Sequence, residues 1–270
     1  MDLELLMGNN EEKPLERLVS NGGFCGIFRT IACIGDSLSS GEFESYDEQG
    51  IKRYHDYFEY SWGKFLERDA GCQVYNFSKG GMTTEEYCEV FADSKDFWNI
   101  TYRAQAYIVA LGVNDVSRTL EGLFKIGDLS DIDFANYRNN KKTFIGYYAQ
   151  IVQRYKEIQP KAKFFFMTMP RTDVIDERSK LFDEVAELLR KLADKFENCY
   201  VLDLRKNGPV YDQAFKEKFY LGGHMNAMGY RLTALMVETY MDYIIRHNMK
   251  DFKQIGFVGT PYSNLLEDLN

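Results

Sequence analysis

The chain has 270 residues, 45% of them apolar and 27% charged, and a formal net charge of −8. These proportions are typical of a soluble globular protein that is large enough to bury a sizeable core. The acidic balance disfavours nucleic acid and anionic membrane surfaces as main partners, because both carry negative charge.

The start of the chain has neither the basic residues nor the unbroken apolar segment of a secretion signal. No run approaches the roughly 18 apolar residues of a membrane helix. Five cysteines are scattered without a CxxC pair, and an odd number leaves at least one unpaired within the chain, which suits a reducing compartment. We therefore expect a cytoplasmic protein without membrane insertion, and the oligomeric state stays open.

Short and nearly continuous apolar runs predict parallel strands that are covered on both faces. In chain order, these runs are 28–34, 72–77, 106–111, 162–167 and 199–204. Segments with helical spacing alternate with the runs, and their apolar stripes predict helices that pack on the sheet. The alternation predicts an α/β fold, a single doubly wound domain with a five-stranded parallel sheet flanked by helices.

We place this domain at residues 28–251. Residues 1–27 precede the first predicted strand and are interpreted as an N-terminal arm. Residues 252–270 form a tail that is too apolar for a linker, so we expect it to dock on the domain or on a partner. No internal repeat or glycine-proline linker divides the chain further.

Polar residues follow the predicted strands, and in an open parallel sheet ligands bind outside the carboxyl ends of the strands. A serine follows the first strand, a glycine pair the second and a carboxamide the third, while a histidine comes before the last long helix. These residues are Ser37, Gly80, Gly81, Asn114 and His224. The sequence therefore predicts that a hydroxyl, a flexible backbone, an amide and an imidazole share one edge of the sheet.

Acyl transfer needs this combination of groups. A serine hydroxyl becomes a good nucleophile when a neighbouring base takes its proton, and histidine can do so near neutral pH. Backbone N–H groups and an asparagine side chain can stabilise the oxyanion of the tetrahedral intermediate. A glycine lets the backbone approach the substrate closely, because it has no Cβ.

The four motifs GDSLS, KGGMTT, GVND and a late histidine, in this order, resemble those of the SGNH hydrolases, also called GDSL esterases or lipases, which have a flavodoxin-like fold. The resemblance implies that Ser37 is the nucleophile and His224 the general base. It also implies an oxyanion hole formed by the backbones of Ser37 and Gly81 and the side chain of Asn114. Gly81 is preferred to Gly80 because the family's glycine commonly precedes a variable residue and a threonine.

The sequence departs from the family at Leu221. The family usually has an aspartate three residues before the histidine, where it holds the imidazole, and a leucine side chain cannot do this. Either a backbone carbonyl orients the ring in a Ser–His dyad, or an acid comes from elsewhere in the chain. We favour the dyad. The acids considered as alternatives, without a ranking, are Asp173, Asp203, Asp212 and Glu217.

Each of these polar residues also has a structural interpretation. Asp36 is expected to order the turn after the first strand, and His55 to begin a helix in solvent. Asn226 is a candidate N-cap of the last long helix. Asn114 and Asp115 could form an Asx turn, which is the usual role of such a pair. The joint placement of the four motifs favours the catalytic interpretation for Asn114.

Other classes of site lack their signatures in this sequence. There is no GxSxG elbow, GxGxxG motif or Walker sequence. The chain has three histidines, His55, His224 and His247, and they are too far apart to have metal-ligand spacing. We therefore expect neither a metal nor another cofactor.

The expected function is that of a serine esterase that cleaves small acyl esters through an acyl-serine intermediate. Acetyl and short-chain esters are favoured, and esters of carbohydrates fit, as do lipids and thioesters. The expected partner is thus a small-molecule acyl ester. Candidates for lining its pocket are Phe43, Tyr46 and Arg171. The alternative is a catalytically weak protein of the same fold that binds an acylated ligand, and Leu221 is the feature that keeps this alternative open.

Overall fold

The computed structural model describes residues 7–8 and 11–265. Strands in these residues are, in chain order, β1 (Thr30–Gly35), β2 (Glu42–Tyr46), β3 (Lys52–Asp56), β4 (Gln73–Ser78), β5 (Ala106–Ala110), β6 (Lys163–Met167), β7 (Cys199–Leu202), β8 (Tyr220–Leu221) and β9 (His224–Met225). Strands β1 and β4 to β7 form one parallel sheet in the order β4-β1-β5-β6-β7. This is the flavodoxin-like order, and the predicted five-stranded parallel sheet is confirmed.

The helices of the described residues are α1 (Ser37–Ser40), α2 (Trp62–Ala70), α3 (Thr84–Glu86), α4 (Ala92–Ser94), α5 (Val113–Leu120), α6 (Phe144–Ile158), α7 (Glu177–Ala193), α8 (Leu204–Asn207), α9 (Gln213–Phe219), α10 (Ala227–His247) and α11 (Met249–Phe252). A π-helical turn, Tyr87–Phe91, joins α3 to α4. Short 3₁₀ helices lie at Gly23–Ile27, Phe58–Tyr60, Ile100–Tyr102, Leu129–Asp131, Tyr137–Asn139 and Ile255–Phe257.

Local sequence explains where the long helices begin. The side chains of Thr143, Asp176 and Asn226 each accept a backbone N–H from the first turn of α6, α7 and α10, respectively. Such a side chain satisfies one of the amides that a helix start leaves without a partner. The predicted N-cap at Asn226 is confirmed by its hydrogen bond of 2.9 Å from the Gly229 N–H.

Hydrophobic cores lie on both faces of the sheet, because successive strand residues point to opposite sides. On β5, Tyr107 packs in the core that includes α6 and α7, whereas Ile108 packs in the core that includes α2 and α10. The strands are therefore covered on both sides, which explains why they appear in the sequence as nearly continuous apolar runs.

The hairpin of β2 and β3 was not predicted. These strands pair antiparallel, and His55 lies on β3 rather than at the start of a helix, so that expectation was wrong. The His55 Nε2 atom lies 2.8 Å from Ser45 Oγ on the neighbouring strand. Most residues of this hairpin are polar, so the alternation of apolar and polar residues by which a half-buried strand is recognised is limited to the short stretch Glu42-Phe43-Glu44.

Within the described residues, the segments before β1 and after α11 contact the rest of the domain. The Phe24 N–H donates to Asp242 Oδ1 at 2.8 Å, which ties the N-terminal segment to α10. Gln105 Nε2 donates to the carbonyls of Ile255 and Val258 at 2.8 and 3.1 Å, which ties the C-terminal segment to the start of β5. The outer parts of the predicted arm and tail, residues 1–6, 9–10 and 266–270, lie outside the described residues, and the proposed boundaries stay predictions.

Candidate active site

The strand register brings the predicted site residues to one edge of the sheet. Gly35, the last residue of β1, lies opposite Ser78 of β4 and Ala110 of β5. Ser37, Gly81 and Asn114 each follow one of these three strand ends closely along the chain. The carboxyl ends of three adjacent strands thus carry the hydroxyl, the glycine backbone and the carboxamide.

Ser37 is the first residue of α1, on a tight turn. Asp36 caps this helix, since its Oδ1 accepts the Leu38 N–H at 3.1 Å. A Cβ at Gly35 would collide with the Ser39 hydroxyl, so only glycine fits before the turn. Burial raises the pKa of Asp36 to about 7. Asp36 therefore orders the turn, as expected, and does so from a buried position.

The two glycines after β4 differ in their surroundings. Gly81 has a φ of +74°, in the left-handed region that favours glycine, and a Cβ there would meet open space. A Cβ at Gly80 would instead collide with the Glu42 carboxylate, and the Gly80 N–H points to Asp56 Oδ2 at 3.5 Å. Gly80 thus faces the hairpin, and Gly81 is the glycine that borders free space.

Asn114 lies in the first turn of α5, and its side chain reaches both neighbouring strand ends. Its Nδ2 donates to the Met82 carbonyl at 3.0 Å and lies 3.5 Å from Asp36 Oδ2. These two partners are the chain neighbours of Gly81 and Ser37, respectively. The carboxamide therefore sits between the two backbone segments that sequence reasoning assigned to an oxyanion hole.

Asp115 does not form the Asx turn with Asn114 that the structural interpretation suggested. Its Oδ1 accepts the backbone N–H of Thr84 at 3.0 Å and the Thr84 hydroxyl at 2.6 Å. Burial raises the pKa of Asp115 to about 6, although these hydrogen bonds oppose the rise. The Asp115 side chain thus fixes the start of α3 against α5.

His224 lies on β9, and a carboxylate faces each of its ring nitrogens. Nδ1 is 2.8 Å from Glu44 Oε1, and Nε2 is 3.0 Å from Glu42 Oε1. Tyr230 Oη donates to the Glu42 carbonyl at 2.7 Å and lies 3.5 Å from the Ser37 carbonyl, so the start of α10 is joined to the Ser37 turn. His224 is thereby brought to the edge of the sheet that carries Ser37.

Glu44 is the acid that sequence reasoning missed. Its side chain is only 5% exposed, and its Oε2 also pairs with Lys52 Nζ at 2.7 Å. Burial by itself would raise the pKa of Glu44, but the hydrogen bonds from Lys52, from the Gly223 N–H and from His224 outweigh it and lower the pKa to about 2. Glu44 is therefore an ionised carboxylate next to Nδ1.

The two glycines before His224 make room for Glu44. A Cβ at Gly222 would collide with the carboxylate, and one at Gly223 would lie 2.6 Å from Glu44 Oε1. Gly222 also has a φ of +74°, which favours glycine. Leu221 pairs with His224 across the short β8–β9 ladder, and its side chain is 55% exposed. The Glu44 carboxylate thus fills the space that side chains at positions 222 and 223 would otherwise take.

The preference for a Ser–His dyad is therefore at odds with the structure, because a carboxylate does face His224 Nδ1. None of the four acids considered from the sequence is this carboxylate. Asp203 pairs with Arg190 at 2.7 Å, Asp212 caps α9, Glu217 accepts from Gln213 at 3.0 Å, and Asp173 is exposed. The available signal was the alternation in Glu42-Phe43-Glu44, which puts both glutamates on one face of a strand.

The second carboxylate, that of Glu42, contacts His224 Nε2, which is the nitrogen that would face a serine nucleophile. Within the described residues, no hydrogen bond joins Ser37 Oγ to His224. Burial raises the pKa of Glu42; the neighbouring acids Asp56 and Glu44 add to the rise, and His224 opposes it. The His224 ring is thus held between an ionised carboxylate on Nδ1 and a more weakly acidic one on Nε2.

A mostly apolar cavity of about 160 Å³ is lined by chain neighbours of the site residues, and not by Ser37, Gly81, Asn114 or His224 themselves. Leu38 and Met225, which follow Ser37 and His224 in the chain, line one side of it, and residues after β6 line the other. None of the three residues that were predicted to line the pocket lines this cavity. Phe43 packs on Tyr230 with ring centroids 5.6 Å apart, and Tyr46 lies on β2. Arg171 forms an isolated backbone β-bridge with Val210.

Across residues 7–8 and 11–265, no three or more His, Cys, Asp or Glu side chains are grouped so that they could hold a metal ion. In the same residues, no helix combines the length and apolar character that crossing a membrane requires.

The fold and the placement of the motifs are those of the SGNH hydrolase class. The sequence matches the model of the GDSL-like lipase/acylhydrolase family over residues 33–232. This match covers most of the chain and includes all four motifs, so the chain belongs to the GDSL-like lipase/acylhydrolase family. No curated protein matches the sequence significantly.

Solved structures share the fold at low sequence identity. A family two carbohydrate esterase from Clostridium thermocellum, in complex with cellohexaose, has a TM-score of 0.54 and 15% identity, covering 83% of this chain and 65% of that chain. A protein from Lactobacillus plantarum has a TM-score of 0.58 and 16% identity, covering 80% and 97%. An acetyl xylan esterase has a TM-score of 0.50 and 19% identity, covering 77% and 97%.

Proposed function

We propose that the protein is a serine esterase that hydrolyses small acyl esters, with Ser37 as nucleophile, His224 as general base and Glu44 as the acid that orients the imidazole. The observation that carries this proposal is the 2.8 Å contact between Glu44 Oε1 and His224 Nδ1. Glu44 would thereby be the acid of a Ser–His–acid triad, a role that the side chain of Leu221 cannot take. With the carboxylate on Nδ1, the imidazole has the tautomer that leaves Nε2 free to accept a proton.

The reaction begins when Ser37 Oγ attacks the ester carbonyl carbon and its proton passes to His224 Nε2. The carbonyl π electrons move to oxygen, and the resulting oxyanion takes hydrogen bonds from the Ser37 and Gly81 N–H groups and from Asn114 Nδ2. The intermediate then collapses, the alcohol leaves with the proton from Nε2, and Ser37 keeps the acyl group. Water, deprotonated by His224, releases the acid and restores Ser37.

The contact between Glu42 and His224 Nε2 must break before this reaction can begin. In the structure Nε2 faces Glu42 Oε1 at 3.0 Å, whereas the mechanism needs it to face Ser37 Oγ. Catalytic hydrogen bonds often become aligned only when substrate is bound.

The size of the neighbouring cavity supports a small acyl group. A volume of about 160 Å³ is below the range of roughly 300–1,000 Å³ that is usual for pockets of drug-sized ligands. Because Leu38 and Met225, the chain neighbours of Ser37 and His224, line this cavity, we assign it to the acyl group. Acetyl and short-chain groups fit its size, and the sugar of a carbohydrate ester would stay outside it. We propose that no metal or other cofactor takes part and that the protein acts in the cytoplasm.

The alternative, a protein that binds an acylated ligand without turnover, rested on Leu221, and the carboxylate of Glu44 beside His224 speaks against it. Incubation with a fluorophosphonate, followed by mass spectrometry, tests the proposal directly. We expect one covalent adduct on Ser37, none in Ser37→Ala, and turnover of acetyl and butyryl esters. A protein that binds such esters yet neither reacts with the phosphonate nor hydrolyses them would support the alternative.

A further inference from the structure

The β2–β3 hairpin has two different faces. Cross-strand pairs in the antiparallel register put side chains from both strands on the same side. We call the side that borders His224 the histidine-side face, and its residues are Glu42, Glu44, Tyr46, Lys52, Tyr54 and Asp56. Phe43 and His55 point to the other side, where their rings pack against Tyr57.

The histidine-side face carries two tyrosines that stay largely in solvent. Tyr54 stands edge-on to the His224 ring, with centroids 6.0 Å apart and an angle of 77° between the planes. Tyr54 is 57% exposed and Tyr46 is 68% exposed. Tyr54 pairs with Glu44 and Tyr46 pairs with Lys52, so the two tyrosines are diagonal neighbours on adjacent strands. They form a short aromatic strip that leads away from His224.

The reaction determines which part of a substrate would meet this strip. The leaving alcohol takes its proton from His224 Nε2, so the alcohol moiety must lie against the imidazole while the acyl group stays on Ser37. A bulky alcohol moiety that extends from Nε2 across the imidazole reaches Tyr54, which lies opposite Glu44 on the Nδ1 side of the ring. On the hairpin side, Tyr54 is the first exposed ring of this surface, and Tyr46 is the next.

The chemistry of the strip selects among alcohols. An exposed aromatic face binds an apolar surface, while the tyrosine hydroxyl and the neighbouring Lys52 can hydrogen-bond to polar groups. Lys52 Nζ lies 6.0 Å from the centre of the Tyr54 ring. A sugar ring presents both kinds of surface, C–H groups on its faces and hydroxyls on its rim. An alkyl or acylglycerol chain would contact the aromatic surface but make no use of the exposed tyrosine hydroxyls.

We propose that Tyr54 and Tyr46 form a subsite for a sugar ring in the alcohol moiety of the ester. This inference rests on the proposed function, and it goes further by naming the substrate class and the residues that select it. Tyr54 and Tyr46 are positioning residues here, because they hold the alcohol beside His224 and do not contact the reacting atoms.

The test compares two acetyl esters, an acetylated xylo-oligosaccharide and ethyl acetate, in Tyr54→Ala, Tyr54→Phe and Tyr46→Ala. We expect the ratio of kcat/KM for the sugar ester to that for ethyl acetate to fall about tenfold in Tyr54→Ala, mainly through a higher KM. The loss should be smaller in Tyr46→Ala. Tyr54→Phe keeps the ring and should keep most of the ratio.

Tyr57→Ala is the matched control. Tyr57 is 53% exposed and packs on the opposite face of the same hairpin, so its removal tests for damage to the hairpin without touching the strip. We expect its ratio to equal that of the wild type. An unchanged ratio in Tyr54→Ala, or an equal fall in Tyr57→Ala, would overturn the subsite.

Direct binding separates the subsite from the proposed function. Calorimetric titration of Ser37→Ala with the non-acetylated xylo-oligosaccharide needs no turnover. Binding that is lost in the Ser37→Ala, Tyr54→Ala double variant supports the subsite, even if the wild type hydrolyses neither ester and the esterase proposal fails. Absence of sugar binding, together with an unchanged ratio in an active enzyme, would overturn the subsite alone.

Discussion

His224 Nδ1 lies 2.8 Å from Glu44 Oε1, although 180 positions separate the two residues in the chain. The contact is possible because β2 follows the Ser37 turn directly and runs beside β9. The Glu44 carboxylate also pairs with Lys52 and accepts a hydrogen bond from the Gly223 N–H, so its position is fixed from several sides. An acid from another element thus faces the imidazole, although the resemblance led us to expect an aspartate at position 221, and the glycines before the histidine leave space for it.

The two glutamates around His224 should differ strongly in importance. We expect Glu44→Gln to lower kcat by about a thousandfold or more, because loss of a triad carboxylate can cost about four orders of magnitude. Glu42→Gln should change kcat less than about tenfold, because Nε2 must leave Glu42 before it can serve Ser37. Steady-state kinetics on a short-chain ester, with circular dichroism to confirm folding, measure the difference. Equal effects of both substitutions would contradict the assignment of Glu44.

Gly223→Ala should act through Glu44. The new Cβ would lie 2.6 Å from Glu44 Oε1 and would push the carboxylate away from Nδ1. We expect a large fall in kcat, and only a small further fall when Gly223→Ala is combined with Glu44→Gln, since both remove the same contact. A double-mutant cycle measures this coupling. Additive losses would mean that Gly223 matters for a reason unrelated to Glu44.

Asn114 should contribute mainly to the transition state. Removal of one oxyanion donor typically lowers turnover by about a hundred- to a thousandfold, so we expect such a loss of kcat in Asn114→Ala with little change in KM. Because Asn114 Nδ2 also bonds to the Met82 carbonyl at 3.0 Å, thermal unfolding must be followed in parallel. Turnover within a few-fold of the wild type would show that Asn114 serves only to hold the neighbouring loops.

Activity should not depend on a metal ion. The mechanism takes its nucleophile, base and oxyanion donors from the chain, so protein treated with a chelator and then dialysed should keep its esterase activity. The measurement is the rate on a short-chain ester before and after treatment, with and without added zinc or magnesium. Loss of activity that either metal restores would contradict the proposed mechanism.

Glu238, a fully buried residue of α10, should make stability fall as the pH rises. Burial raises its pKa from 4.5 to about 8, and the neighbouring Asp69 adds to the rise. Between these values the folded protein holds a proton that the unfolded chain has lost. The stabilisation is therefore complete below about pH 4.5 and is lost as the pH approaches about 8.

We expect Glu238→Gln to remove this decline, because the amide does not ionise. The measurement is the free energy of unfolding in urea at pH 5, 7 and 9 for both proteins. The wild type should lose stability relative to the variant by up to about 1.4 kcal/mol for each pH unit in this window. Parallel curves for the two proteins would show that Glu238 is not protonated in the folded state.

The strands and the positions of the motifs could be predicted because their signals are local. A strand covered on both faces must be apolar at almost every position, as Ile31, Ala32 and Cys33 of β1 are, so the run itself marks the strand. Parallel pairing then puts all the carboxyl ends at one edge, and this is why Ser37, Gly81 and Asn114 could be expected together without any long-range information.

Only the tertiary structure shows which acid lies beside His224. Glu44 lies on a hairpin whose residues are mostly polar, so no apolar pattern marked its strands, and its partner is a distant histidine in the chain. The sequence likewise suggested a turn residue at Asp115, whereas in the structure the Asp115 carboxylate accepts hydrogen bonds from the backbone and the hydroxyl of Thr84. Hydrophobic burial repeats along a segment and leaves a pattern in the sequence, whereas a contact between two polar side chains depends on how separate elements pack and leaves none.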